Sequence, residues 1–401
     1  MSERGTGRES SRLLEWLGYS GARLGVWALG ILPERMGLGL ARGLGWIAMR
    51  IDWIHPPLAR RNLDLAFGPE LPAAERERIL LESYRNLLLN VVEVVHAVRR
   101  ARRGERPVEI EIEGAEHFER LARSGRGALF VSCHMGNWEL CPIGTLLHGV
   151  PLYSIATPRR NPGIERLVTE VRESLGQRIV WKRGAFREAV RLLREGCCVG
   201  VLADQNQRKG SVFVDFFGVP ASTTRGPALL ARRAGVPLLP AAIRRLPGTN
   251  RHRLTVTEPI EPIRSDDADD DVLRMTEAYT KRLESLIREA PEQWLWHHRR
   301  WRTRPWRETR MQRDRSCIVR SCAASAHGIG PSLDPPAQPW EPMPTAIRLG
   351  KPAPMPVLRR RARITASPEL CKELARLREQ RVRSRAGVLG VSPGGGPPPS
   401  A

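Results

Sequence analysis

After Gly104 the chain alternates short apolar runs with amphipathic stretches, and no other feature constrains its fold as much. Residues 128–133, 199–203, 238–243 and 254–256 are almost continuously apolar and too short for buried helices, so each is expected to be a buried strand. Between and after them, residues 186–195, 227–234 and 272–289 carry apolar residues at helical spacing. These stretches stop at Gly196, at Gly235 and just before Pro291. Strand and helix in alternation predict an α/β domain, a mostly parallel sheet flanked by helices. Upstream, Ile79, Leu80, Tyr84, Leu87, Leu88, Val91 and Val95 recur at helical spacing and predict one helix over 72–100.

Residues 1–11 are polar and are expected to be disordered. Residues 12–56 are rich in Leu, Gly, Trp and Ile, yet the longest apolar run, 24–32, ends at Pro33. It falls short of the roughly 20 residues needed to span a bilayer. Trp16, Trp27, Trp46 and Trp53, with Arg35, Arg42 and Arg50, fit a membrane-associated helical segment lying at the interface. An ordinary buried helix pair fits equally well. No small-residue cleavage site follows the apolar run, which argues against a cleaved signal peptide. Residues 57–307 hold the α/β pattern. Over 308–401 the pattern gives way to proline-rich pieces, the run Arg359, Arg360, Arg361 and a Gly/Pro end. A mostly disordered basic tail is expected there, with one short helical stretch at 368–385.

Lys and Arg number 65 against 43 Asp and Glu, a formal net charge of +22. Such a field attracts nucleic acid, an anionic membrane or a phosphorylated substrate, and composition does not choose among them. The 7 cysteines are odd in number, irregularly spaced and without a C-x-x-C pair, which speaks against a zinc or redox motif and for a reduced interior. There is no Walker loop, no H-E-x-x-H and no G-x-G-x-x-G after a strand. Residues 390–394 match G-x-S-x-G, but a Gly/Pro tail follows where a nucleophile elbow needs a helix.

The sharpest candidate site begins where the first predicted strand of the α/β region ends. His134 follows it directly, at the carboxyl edge where ligands bind in α/β sheets. A histidine there suits general-base work. Glu139, in the first turns of the next helix, is expected to hold the imidazole's far nitrogen and stabilise the imidazolium. Gly136 and Asn137 fit a tight entry to that helix. A structural histidine would read the same way from sequence alone. Asp204 and Gln205 follow another predicted strand, as ligand-binding groups or as a turn. Arg159, Arg160 and Asn161 bring two guanidiniums to a turn, suited to a phosphate or an oxyanion. Residues 213–218 are aromatic, fitting a core strand or an acyl channel, and 221–226 carry hydroxyls and Arg225. Residues 294–301 crowd Trp, His, Arg299 and Arg300 together, fitting either base stacking or a membrane interface.

Taken in order over residues 13–306, these motifs resemble the lipid A biosynthesis (lauroyl/myristoyl) acyltransferases, within the lysophospholipid acyltransferase superfamily. The family's His-x4-Asp/Glu box is similar to residues 134–139, its next block to 203–205, 213–218 and 221–226, and its C-terminal signature to 291–301. Arg60-Arg61-Asn62-Leu63 also looks like the family. One position departs: the family arginine of the second block is Thr157 here, with Arg159 or Arg160 as its replacement. The resemblance implies a glycerolipid acyltransferase-like fold and acyl transfer from a thioester, on acyl carrier protein or coenzyme A, to a hydroxyl of a glycolipid. A lipid A precursor is the first expectation and another phospholipid or glycolipid the second. The implied dyad is His134 with Glu139, and the implied substrate-binding groups are Arg159, Arg160, Asn161, Asp204, Gln205, Arg225, Arg299 and Arg300. It implies no metal or bound organic cofactor, and a place at the bacterial inner membrane with the catalytic domain facing the cytoplasm. A basic nucleic-acid-binding protein is the rival from another class. It explains the charge but not the apolar N-terminal region, so no nucleic-acid partner is expected.

Overall fold

A computed structural model describes residues 3–52, 54–147, 152–181 and 184–305. The tail expected to be disordered, with its helical stretch at 368–385, lies outside the described residues. Four helices come first: α1 (Glu3–Ile31), α2 (Glu34–Ile51), α3 (His55–Phe67) and α4 (Ala73–Arg102). Helix α1 begins at Glu3, which corrects the expectation of disorder through residue 11. That stretch holds several Arg and Glu helix formers and no proline, and the helix stops only before Pro33.

Helix α2 docks on α4 through the buried Gly37, Leu38, Ala41 and Gly45. Gly45 allows the approach: a Cβ there would sit 2.5 Å from Arg85 Cγ and 3.0 Å from Arg85 Cα. The other face stays apolar and exposed, with Met36, Leu40, Leu44 and Ile47 on α2 and Leu14, Trp16, Leu17, Leu24 and Trp27 on α1. One face of α2 is therefore buried against α4, and its opposite apolar face is open. Among the described residues, no helix is long and apolar enough to cross a membrane.

The α/β region follows with β1 (Ile110–Glu113), α5 (Ala115–Ser124), β2 (Ala128–Ser132), α6 (Cys141–Leu147), β3 (Leu152–Ala156), α7 (Pro162–Ser174), β4 (Arg178–Trp181), α8 (Ala185–Arg194) and β5 (Cys198–Leu202). Then come β6 (Ser211–Phe216), β7 (Val219–Thr224), α9 (Gly226–Ala234), β8 (Leu238–Arg245), β9 (His252–Val256) and α10 (Ala268–Glu289). Seven strands form one sheet in the order β1-β9-β8-β2-β5-β3-β4, and every neighbouring pair is parallel except β8 with β9. Strands β6 and β7 form a separate hairpin. Every residue of β2 is buried, as expected for a central strand covered on both faces. Phe130, Leu152, Leu239, Ile243 and Leu254 belong to the core cluster on one side of the sheet.

A buried polar network supports the loop after β2. Arg245 pairs with Glu93 through Nε and, at 2.8 Å, through Nη2. Its Nη1 donates to Asn86 at 2.8 Å and Nη2 to Asn90 at 3.0 Å. The two asparagines donate onward to the Gly136 carbonyl at 3.2 and 2.6 Å, and Asn137 donates to Glu93 at 2.9 Å. Burial works against the Glu93 carboxylate, but Arg245 and His252 hold its pKa below the ordinary value. Arg245→Met would strand that charge in the core. The expected cost is ~3–5 kcal/mol of stability, read as a lower thermal or denaturant midpoint. A midpoint equal to the wild type would show that the network carries no such load.

Candidate active site

Strand register builds the centre of the site. Strands β2 and β5 are parallel neighbours with Ser132 opposite Leu202, so the residues two further on, His134 and Asp204, stand side by side past the carboxyl edge. The Asp204 carboxylate is buried. His134 Nδ1 donates to Asp204 Oδ1 at 2.7 Å, while Oδ2 accepts from the His134 backbone N–H at 2.8 Å and from the Trp294 indole N–H at 2.9 Å. Burial opposes the imidazolium, but the charge and hydrogen bond of Asp204, with the charge of Glu139, outweigh it and raise the His134 pKa. Against its own burial, Asp204 is held well below the usual carboxylate range, chiefly by His134. With Nδ1 committed, Nε2 is the nitrogen left for chemistry, 3.4 Å from the Gln205 amide nitrogen.

The expected His134–Glu139 contact is not what holds the ring. Gly136 turns the chain sharply at φ +54°, where a Cβ would collide with the Ile243 carbonyl at 2.2 Å. The 3-10 turn at Trp138–Leu140 then directs Glu139 toward α7. There it receives a two-pronged hydrogen bond from Arg172, at 2.8 and 2.7 Å. Glu139 still lines the same cavity as His134 and acts on it through charge.

That cavity, about 380 Å³, is also lined by Trp138, Cys141, Leu152, Thr157, Arg159, Arg172, Gly200 and Gln205. Its size suits a small-molecule site, and its walls mix apolar and polar side chains. Of the residues singled out from sequence, His134, Glu139, Arg159 and Gln205 line it, and Asp204 stands behind the histidine. Arg299 lines a neighbouring hollow. Arg160 lines neither.

Three candidates have structural roles instead of the expected substrate contacts. Asn161 caps α7, accepting from the N–H groups of Gly163 and Ile164, and ties it to α1 through the Glu15 carbonyl. Arg225 pairs with Asp269 in the first turn of α10. Arg300 is buried, donating to the Ser222 carbonyl and the Thr223 hydroxyl with its guanidinium over the Phe216 ring. Burial also holds its pKa down, to about 10. Trp294, Trp296 and Trp301 are likewise buried, packed with Phe216 and Phe217. They are core, not a platform for bases, and 213–218, read as a core strand or an acyl channel, do not line the His134 cavity. Asn62, in the upstream tetrad, fixes this segment by donating to the carbonyls of Trp296 and His298 at 2.8 Å.

A model of the bacterial lipid A biosynthesis acyltransferases matches residues 6–303. The chain belongs to this family. This acyltransferase is 31% identical over 300 residues to the lipid A biosynthesis palmitoleoyltransferase of Escherichia coli (strain K12), covering 72% of this chain and 92% of that one. It is 31% identical over 301 residues to the lipid A biosynthesis lauroyltransferase of the same organism, covering 73% and 92%. A phosphatidylinositol mannoside acyltransferase of Mycolicibacterium smegmatis is 27% identical over 215 residues, covering 52% of this chain and 69% of that one.

Proposed function

We propose that this acyltransferase moves a fatty acyl group from a thioester, on acyl carrier protein or coenzyme A, to a hydroxyl of a lipid A precursor. The observation that carries the mechanism is the imidazole of His134, held on Asp204 through Nδ1 in the wall of a part-apolar cavity. His134 Nε2 takes the proton of the acceptor hydroxyl as its oxygen attacks the thioester carbonyl. The C–S bond then breaks, and the imidazolium returns the proton to the leaving thiolate. Asp204 fixes the tautomer and stabilises the imidazolium. Glu139 braces Arg172 in the cavity wall, where Arg172, Arg159 and the Gln205 amide are the donors nearest a developing oxyanion. The acyl chain lies along Phe130, Leu152 and Gly200. The exposed apolar faces of α1 and α2, with Arg50 over the Trp46 ring, rest on the cytoplasmic surface of a bacterial inner membrane. The named mycobacterial relative favours a second reading for the acceptor only: another sugar-bearing lipid, by the same chemistry.

The test is a transfer assay with labelled acyl carrier protein and coenzyme A thioesters, bacterial lipid acceptors and mass analysis of the product. Only neutral His134 accepts a proton, and its pKa is raised. kcat/KM is therefore expected to rise with pH along a limb whose midpoint lies above the ordinary histidine value of about 6.5. A limb below that value, or no label in any glycolipid, would count against the reading.

A further inference from the structure

Beside the His134 cavity lies a second hollow, of about 510 Å³, with a different chemistry. Its walls are Gln205, Asn206, Gln207, Arg208 and Lys209 from the segment after β5, and His298, Arg299 and Arg302 from the chain's last described turns. Four of these eight carry a full positive charge and none is acidic. Among the described residues, Arg208, Lys209, Arg299 and Arg302 form no ion pair, whereas Arg60, Arg100, Arg172, Arg191, Arg232 and Arg245 all do. Cations left together without counter-charge repel one another, so the hollow favours an anion that would relieve the repulsion.

The frame of the hollow is built before any ligand arrives. Asn206 Nδ2 donates to the Thr303 hydroxyl and Asn206 Oδ1 accepts from the Thr303 N–H, both at 3.1 Å, lacing the two segments together. Gln207 N–H donates to the Ser222 carbonyl, and the Ser222 hydroxyl donates back to the Gln207 carbonyl. The buried Arg300, between Arg299 and the wall of the hairpin, anchors the second segment. Gln205 lines both the hollow and the catalytic cavity, and its amide is 3.4 Å from His134 Nε2. An anion here thus sits one side chain away from the reacting hydroxyl.

We propose that the hollow is a subsite for a phosphomonoester carried by the acyl acceptor, which sets the acceptor's register against His134. The proposal rests on the acyl-transfer reading for its substrate, and on the unpaired cations for its site. A phosphate offers several acceptor oxygens and two negative charges, which the three guanidiniums and one ammonium of the hollow match in fork and point geometry. The thioester donor is the other source of phosphate, and the experiment separates the two.

Two double variants, Arg208→Gln with Lys209→Gln and Arg299→Gln with Arg302→Gln, remove the charge from each segment in turn. All four side chains are exposed, so the fold is expected to persist. Each variant is assayed on a phosphorylated glycolipid acceptor and on the same acceptor after phosphatase treatment. The expected result is a ~10- to 100-fold loss in kcat/KM on the phosphorylated acceptor, the scale of charge-assisted hydrogen bonds, with the dephosphorylated acceptor unaffected. Equal loss on both acceptors, or no loss on either, overturns the proposal. A raised donor KM with acceptor discrimination intact assigns the phosphate to the donor and overturns it as well. Titration of inorganic phosphate into wild type and variants gives a readout without turnover. Phosphate binding in the wild type that both variants lose supports the site, and binding equal in all three rejects it. If the wild type acylates no glycolipid, the acyl-transfer reading fails and the acceptor assignment with it, while the titration still decides whether the hollow binds phosphate.

Discussion

His134→Ala is expected to lower the rate of acyl transfer by about 10³-fold, within the ~10²–10⁴-fold that general-base catalysis supplies. The ring lines the cavity, one nitrogen is bound to Asp204, and among the described residues no other imidazole lines that cavity. The nearest alternative base, the Glu139 carboxylate, is occupied on both oxygens by Arg172. The variant is expected to fold. It leaves Asp204 with the Trp294 indole and the backbone N–H of residue 134, so the buried carboxylate keeps two of its three donors. Near-wild-type melting together with the rate loss would place the defect in the chemistry. A folded variant that keeps the wild-type rate would remove His134 from the mechanism. Acceptor KM is expected to change little, since the imidazole's work falls on the transition state.

The strands legible in the sequence were the central ones. Residues 128–133, 199–203 and 238–243 are apolar on both faces because β2, β5 and β8 sit inside the sheet, and that signal is plain in a single sequence. Strands β1, β3 and β4 lie at or near the edges and are shorter or half-buried, so no comparable run marked them. The hairpin β6–β7 turns at Phe217-Gly218, with Phe217 at φ +59°, an unusual place for a bulky residue that the motif's aromatic surroundings hold. In the candidate site, His134 is legible from its place after a strand. Asp204 carries the same sign, but only strand order shows that β2 and β5 are neighbours and that its carboxylate holds the imidazole. Arg172 carries no sequence signal: it is one arginine among many on an amphipathic helix, and spacing alone points its partner Glu139 at the imidazole. Arg300, Asn161 and Arg225 show the reverse error. A charged or amide side chain near a motif looks like a ligand-binding group until its backbone and carboxylate partners are visible.

Asp204→Asn separates the two carboxylates that sequence and structure offer as partners for His134. Oδ2 of Asp204 accepts two N–H groups, from the His134 backbone and the Trp294 indole. In the asparagine variant those donors fix the amide oxygen at the Oδ2 position, which leaves the NH2 facing His134 Nδ1. Nδ1 must then accept, the proton moves to Nε2, and the nitrogen beside the substrate can no longer take one. The expected loss in kcat is ~10²–10⁴-fold, the scale of holding a catalytic histidine in the wrong tautomer, with the fold retained. The acid limb of the pH profile is expected to move down as well, because the charge that chiefly raises the His134 pKa is gone. Glu139→Gln gives the contrast. It leaves the imidazole's tautomer alone, removes the lesser of the two charges that raise the His134 pKa and releases Arg172, so its effect on rate is expected to be strongly non-additive with that of Arg172→Gln. A wild-type rate in Asp204→Asn, set beside a collapse in kcat in Glu139→Gln, would hand the orienting role to Glu139.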